Sequence, residues 1–143
     1  MRIIDVLRGK GTDVVTITPD ATVRDLLDML AEHNVGALVV SDDGTSVAGI
    51  VSERDVVRAL HRDVEVLSAP VQSIMTAEVH TVDIHTHIDD LMRLMTEQRI
   101  RHVPVVVEGN LHGIVSIGDV VKTRIGELEF EREQLSKYIA SAG

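Results

Sequence analysis

The chain has 143 residues, the size of one domain or of two small halves that share one core. Its formal net charge of −9 argues against nucleic acid as a partner, because binding a phosphate backbone needs clustered cations. It has no cysteine, which excludes disulfides, thiolate metal sites and cysteine nucleophiles. No apolar run is long enough to span a membrane, and Asp5 stands where a signal peptide needs apolar residues. We therefore expect a cytoplasmic protein with no membrane partner.

The two halves of the chain are copies of each other. Residues 16–40 placed over residues 81–105 give five identities in 25 positions, with further exchanges among aliphatic residues. Residues 49–58 placed over residues 113–122 give seven identities in ten. Such agreement in a short chain indicates an internal repeat, so each half is interpreted as one structural unit.

Each copy is predicted to contain the elements β-α-β-β-α. A short leading segment, expected to be a small helix, comes before each copy at residues 3–7 and 71–75. In chain order, the elements of the first copy are a strand at 14–17, a helix from Val23, a strand at 36–40, a turn at Asp43-Gly44, a strand at 47–51 and a helix at 53–60. Those of the second copy are a strand at 79–82, a helix from Ile88, a strand at 102–107, a turn at Gly109-Asn110, a strand at 111–115 and a helix from Ile117. The remaining segment is predicted to be an amphipathic tail helix.

These elements predict an α/β fold made of two pseudo-symmetric units and a C-terminal helix. Each copy has about 45 residues, which is too few to bury a stable core alone. The two units are therefore expected to pack sheet to sheet. We divide the chain into a first unit with its leading helix (1–62), a connector and second unit (63–125) and the tail (126–143).

The pairs Ser52/Asp55 and Ser116/Asp119 are the sharpest candidates for chemistry. A serine followed three residues later by an acid can close a capping box, which is a purely structural role. Asp is short for that role, however, and is expected to leave its carboxylate free. A helix start that follows a strand is also a place where phosphate or hydroxyl groups bind. The residues alone favour neither interpretation over the other.

The repeated pattern Gly-Ile-Val-Ser-x-x-Asp resembles the CBS domain, and two copies in tandem resemble a CBS pair, or Bateman module. GIVSERD in the first copy, with RIRHVPVV and GIVSIGDVVK in the second, is most similar to small stand-alone bacterial pairs. The resemblance covers about residues 1–125. It implies a regulatory module without catalytic activity that binds AMP, ADP or ATP, or in some members NAD or S-adenosylmethionine. It also implies a homodimer.

The resemblance assigns two nucleotide sites between the copies, each with an Asp for the ribose hydroxyls. The site around Asp119 is expected to contain Ser116, Arg101, His102, Thr16, Val35 and Gly36. The site around Asp55 is expected to contain Ser52, Arg54, Thr81, Ile100 and Arg101. The first copy has Gly36-Ala37 in place of the basic pair Arg101-His102, so we expect Asp119 to mark the better site.

Three histidines lie near the start of the second copy. His80, His85 and His87 are expected to lie in a surface loop rather than to bind a metal, since no carboxylate stands at a ligand spacing.

In the favoured interpretation, the protein is a sensor. Ligand binding changes its conformation or its affinity for a regulated protein, and the acidic tail is the surface that contacts this partner. The alternative is a scaffolding dimer that binds a partner protein without nucleotide.

Overall fold

The structure is a computed structural model that describes residues 1–142. Its first half contains helix α1 (Ile3–Lys10), strand β1 (Thr16–Ile17), helix α2 (Val23–His33), strands β2 (Ala37–Val40) and β3 (Gly49–Ser52), and helix α3 (Glu53–Arg62). Its second half contains helix α4 (Ile88–Gln98), strands β4 (His102–Val107) and β5 (Asn110–Ser116), and helix α5 (Ile117–Ala142). Two short 3-10 helices, Val64–Ser68 and Val71–Ser73, lie in the connection. The predicted mixed α/β fold and its C-terminal helix are confirmed.

The two sheets are small and differ in one strand. In the first unit β1 runs parallel to β2, which pairs antiparallel with β3. In the second unit β4 and β5 form an antiparallel pair, and the strand predicted at residues 79–82 is reduced to a single bridge between Val82 and Val105. That prediction was too long by residues 79–81, which belong to no strand in the described part of the chain.

Each unit has its own hydrophobic core, built from the aliphatic positions that define its helical spacing. Val23, Leu26 and Leu30 of α2 pack with Leu38, Val40 and Val51 in the first unit. Ile88, Leu91 and Met95 of α4 pack with Val103, Val105 and Val115 in the second. Because side chains alternate along a strand, the buried Ala37 and Val39 lie on the opposite face of β2 from Leu38 and Val40. On that face, Ala37 lies among residues of the second unit that include Ile100 and His102.

The two leading segments are exchanged between the units. Helix α1 buries Ile3, Val6 and Leu7 in the core of the second unit, not of the first. The Ile3 N–H donates to the Thr86 carbonyl at 2.9 Å. The segment after the connector packs on the first unit in the same way, with the Val71 N–H donating to the Ala21 carbonyl at 2.7 Å. This exchange brings the C-terminal end of α1 close to the second unit's motif.

Helix α5 is one continuous helix of 26 residues. It contains both the helix predicted from Ile117 and the described part of the predicted tail, so Gly126 lies inside it rather than at a boundary. Its start packs on the second unit through Val120, whereas residues 128–142 are all exposed. Within residues 1–142, no helix combines the length and the apolar character that crossing a membrane requires.

Candidate functional site

Both Ser-x-x-Asp motifs form the same helix start. The Ser52 N–H donates to Asp55 Oδ2 at 2.8 Å, and the Ser52 hydroxyl lies 3.1 Å from the same oxygen. The Ser116 N–H donates to Asp119 Oδ2 at 2.8 Å, and the Ser116 hydroxyl lies 2.9 Å from it. Each serine also accepts the backbone N–H of its aspartate. Both motifs are therefore reciprocal capping boxes at the starts of α3 and α5.

The expectation that a short Asp side chain leaves its carboxylate free is wrong for one of the two oxygens. The strand before each motif ends on the serine, whose extended backbone brings its N–H within reach of the aspartate. Among the described residues, Oδ1 of Asp55 has no hydrogen-bond partner. A carboxylate oxygen accepts more than one hydrogen bond, so the cap and a ligand hydroxyl are compatible on the same side chain.

A cavity of about 380 Å³ opens at the first motif, between the two units. Seven of the residues expected to bind nucleotide line it together: Gly36, Ser52, Arg54, Asp55, Ile100, Arg101 and His102. Arg101 was expected at both sites and His102 beside Asp119, whereas both residues line the cavity at Asp55. The reason is topological, since the segment that leads into β4 faces the start of α3 across the boundary between the units.

The cavity brings four arginines to one place in an acidic chain. Arg54 and Arg58 lie one turn apart on α3, and Arg99 and Arg101 come from the second unit. The carboxylates that line it are Glu53, Asp55 and Glu78. The arginines exceed the carboxylates by one charge, and the positive end of the α3 dipole adds to them, so the cavity offers guanidinium groups to an anionic ligand.

The second motif is surrounded differently, because Lys10 at the end of α1 reaches it. Its ammonium donates to Asp119 Oδ2 at 2.6 Å and to the Ile114 carbonyl at 2.7 Å. Burial favours the neutral acid, but the hydrogen bond and charge of Lys10, together with the Ser116 N–H, hold the pKa of Asp119 below its ordinary value. Asp119 is thus an ionised carboxylate that is already paired with a cation of its own chain.

The remaining predicted residues are dispersed. A groove of about 670 Å³ at Asp119 lies between α1 and α5 and is not lined by Thr16, Val35 or Gly36. Thr16 pairs with Val39 in the first sheet, and Val35 is 40% exposed before β2. Thr81 lines a third groove, beside the end of β4. The structure therefore gathers the site expected at Asp55 except for Thr81, and leaves the site at Asp119 without its first-unit residues.

His102 lies between the two motifs. Its ring lies 3.5 Å from the position that a Cβ at residue 36 would occupy, so the ring packs beside Gly36 across the boundary between the units. Burial and the charge of Lys10 lower the pKa of His102 below its ordinary value, against the opposing charges of Glu53 and Asp119. The ring is neutral near pH 7 and can therefore donate or accept a hydrogen bond at the cavity.

Sequence reasoning missed two residues at the motifs. Arg58 lies four positions after Arg54 on α3, and that helical spacing was a readable signal that both face the cavity. Lys10 gave no such signal, because it reaches Asp119 across 109 positions of sequence.

His85 lies in the segment before α4, and His80 is exposed at the cavity rim. Within residues 1–142, no cluster of three or more His, Asp or Glu side chains has the arrangement of a metal site.

Comparison with known proteins identifies the doubled unit. The family model of the CBS domain matches residues 10–62 and 71–126. A mitochondrial CBS domain-containing protein of Arabidopsis thaliana is 40% identical over 96% of this chain and 71% of its own length. The crystal structure of a CBS-domain containing protein from Agrobacterium tumefaciens superposes with a TM-score of 0.84 at 42% identity, covering 87% of this chain and 99% of that one.

A third comparison concerns a structure with a ligand. A CBS domain protein from Pyrobaculum aerophilum, complexed with AMP, superposes with a TM-score of 0.75 at 30% identity. The superposition covers 83% of this chain and 89% of that one. The repeat, the β-α-β-β-α order and these matches agree over most of the sequence. The chain belongs to the CBS domain family and contains two CBS domains in tandem.

Proposed function

We propose that this protein is a regulatory module without catalytic activity that binds an adenine nucleotide in the cavity at Asp55. The observation that carries the proposal is the convergence of one helix-start carboxylate and four arginines from both units on a single cavity of about 380 Å³. Known small-molecule sites have volumes of about 300–1,000 Å³, so the cavity is large enough for a nucleotide. The relative from Pyrobaculum aerophilum, whose structure contains AMP, supports the choice of adenine.

The ribose is assigned to Asp55. Its Oδ2 accepts the Ser52 N–H, which fixes the carboxylate at the cavity wall. Its Oδ1 is the acceptor left for a ribose hydroxyl, and a carboxylate accepts two O–H groups of a diol without donating any. The Ser52 hydroxyl accepts the Asp55 N–H and so caps α3. Its role is to orient the motif, and it is not assigned as a nucleophile.

The phosphate is assigned to the arginines. Arg54 and Arg58 line the cavity from α3, and Arg99 and Arg101 line it from the second unit. Guanidinium groups bind phosphate oxygens through paired hydrogen bonds that are stronger than bonds between neutral groups. A phosphorylated adenosine (AMP, ADP, ATP or NAD) is therefore expected to bind more tightly than adenosine itself.

The base is assigned to the aliphatic part of the wall. Ala37, Ile50, Val79 and Ile100 line the cavity, and no Phe, Tyr or Trp is among its lining residues in the described part of the chain. An adenine ring buried between such side chains gains from apolar contact rather than from stacking. Since Ala37 and Ile50 belong to one unit and Ile100 to the other, the base contacts both units.

Ligand contacts to both units give the module its proposed regulatory role. A ligand shifts a conformational equilibrium only by its difference in affinity for the two states. A nucleotide that needs both walls favours the arrangement with the units held together, and a cytoplasmic protein that binds only that arrangement would be regulated. The alternative is a scaffolding dimer without nucleotide, which is favoured by the finding that both aspartates close capping boxes.

A thermal-shift panel distinguishes the two functions. With AMP, ADP, ATP or NAD at about one hundred times its Kd, the free energy of unfolding should rise by about 2.7 kcal/mol. Adenosine at the same concentration is the control for the arginines and should give a smaller rise in Tm. If no phosphorylated adenosine raises Tm at millimolar concentration, the nucleotide proposal fails and the scaffolding alternative stands.

A further inference from the structure

The exposed stretch of α5 has the residue spacing of a coiled coil. Positions three and four residues apart, in strict alternation, form one stripe along the helix: Val121, Ile125, Leu128, Arg132, Leu135, Ile139 and Ala142. In heptad notation, Ile125, Arg132 and Ile139 occupy a, and the other four occupy d. The five large apolar members are each between 51% and 63% exposed. The stripe is therefore three heptads long and has the pattern of a coiled-coil seam, the line of a and d positions, that is not buried.

The stripe faces away from the protein's own core. Val120 is buried against the second unit, whereas its neighbour Val121 is half exposed on the other side of α5. The groove along α1 is lined by Thr123, Gly126 and Phe130, none of which belongs to the stripe. Residues 128–142 are exposed on every side, and a helix of that length alone is only marginally stable in water.

Charge complementarity indicates what covers the stripe. Arg132 is the one charged residue in the seam, and within residues 1–142 it forms no salt bridge. In a parallel pair of identical helices, an a-position side chain packs into a hole that contains the preceding g residue of the opposite helix. That residue is Glu131 of the second copy, so the cation in the seam meets a carboxylate twice by symmetry.

We propose that α5 pairs with α5 of a second copy of this chain in a parallel two-stranded coiled coil over residues 121–142. Ile at a with Leu at d is the combination that favours two parallel strands, and a single polar a residue fixes their register. Most of the contact lies beyond residue 126, where the second CBS domain ends. None of the stripe residues lines the cavity at Asp55, so the pairing does not depend on the nucleotide proposal.

Disulfide trapping tests the pairing directly, because the chain has no cysteine of its own. Leu128→Cys and Leu135→Cys each place a thiol at d, where the partner's thiol is within bonding distance. Lys137→Cys is the control, since position 137 is an exposed f position on the outer side of the pair. All three positions lie outside both cores, so the variants are expected to fold.

We expect both d-position variants to form covalent dimers at least about tenfold faster than Lys137→Cys under mild oxidation, since only d positions satisfy disulfide geometry across the seam. The two d positions are seven residues apart, so no antiparallel register brings both pairs together. Rapid cross-linking of one variant only would overturn the parallel register. Equal rates for all three variants would overturn the coiled coil, leaving the stripe to a different partner.

Discussion

The motifs at Asp55 and Asp119 are the same helix start built twice, and the rest of the chain brings different residues to each. Both aspartates cap their own helix through Oδ2 at 2.8 Å from a serine N–H. Beyond that, Asp55 faces a cavity lined by arginines of both units, whereas Asp119 is paired with Lys10 at 2.6 Å. One motif is open to an anionic ligand, and the other has its carboxylate neutralised internally.

The difference originates in the exchanged leading segments. Helix α1 lies on the second unit and ends at Lys10, whose ammonium donates to the carbonyl of Ile114. The equivalent segment on the first unit ends near Thr76, which uses its backbone N–H to bond the equivalent carbonyl of Ile50 at 2.9 Å. A lysine side chain in one unit thus replaces a backbone group in the other. Duplicated motifs need not give equivalent sites when neighbouring segments differ.

The largest expected effect concerns how tightly each leading segment packs. A Cβ at Gly49 would lie 2.9 Å from the Thr76 carbonyl oxygen, whereas a Cβ at the equivalent Gly113 would meet only the end of the Leu7 side chain, at 2.8 Å. Backbone cannot rotate away as Leu7 can, so Gly49→Ala should lower the free energy of unfolding by about 1–3 kcal/mol. Gly113→Ala should lower the free energy of unfolding by a smaller amount. Urea denaturation of both variants checks this, and a larger loss for Gly113→Ala contradicts it.

A smaller effect tests whether α3 supplies part of the phosphate site. Arg58→Ala should weaken AMP binding about tenfold, because a hydrogen bond to a charged group contributes about 1.5 kcal/mol or more. Arg62→Ala is the matched control, one turn further along α3 and outside the cavity. Calorimetric titration of AMP into both variants measures the difference. Equal affinities for the two variants would remove Arg58 from the site.

The smallest effect concerns the pair at the second motif. Lys10→Met should raise the pKa of Asp119, because the cation that holds it low is removed. In the wild type, the folded pKa lies below the unfolded value, so stability from this group is present above the unfolded pKa and is lost as pH falls through the folded one. NMR titration of the Asp119 carboxyl measures the shift, with Arg8→Met as the control. An unchanged pKa in Lys10→Met would contradict the pairing.

The sequence was sufficient for the repeat, the order of elements and the capping motifs, because these depend on local spacing. Val23, Leu26 and Leu30 predicted both the face of α2 and its core. The sequence did not predict contacts between distant segments, since nothing near Lys10 indicates that α1 lies on the second unit. For the same reason the sequence identified His102 as a site residue but associated it with Asp119 rather than with the cavity at Asp55.

The account depends most on the claim that Asp55, and not Asp119, holds the ribose. Calorimetry with AMP on wild type, Asp55→Ala and Asp119→Ala tests it, and the two variants are matched because each loses the same helix cap. We expect Asp55→Ala to lose at least about tenfold in affinity, equivalent to about 1.4 kcal/mol, and Asp119→Ala to bind as the wild type does. Loss of binding in Asp119→Ala with full binding in Asp55→Ala would contradict the account.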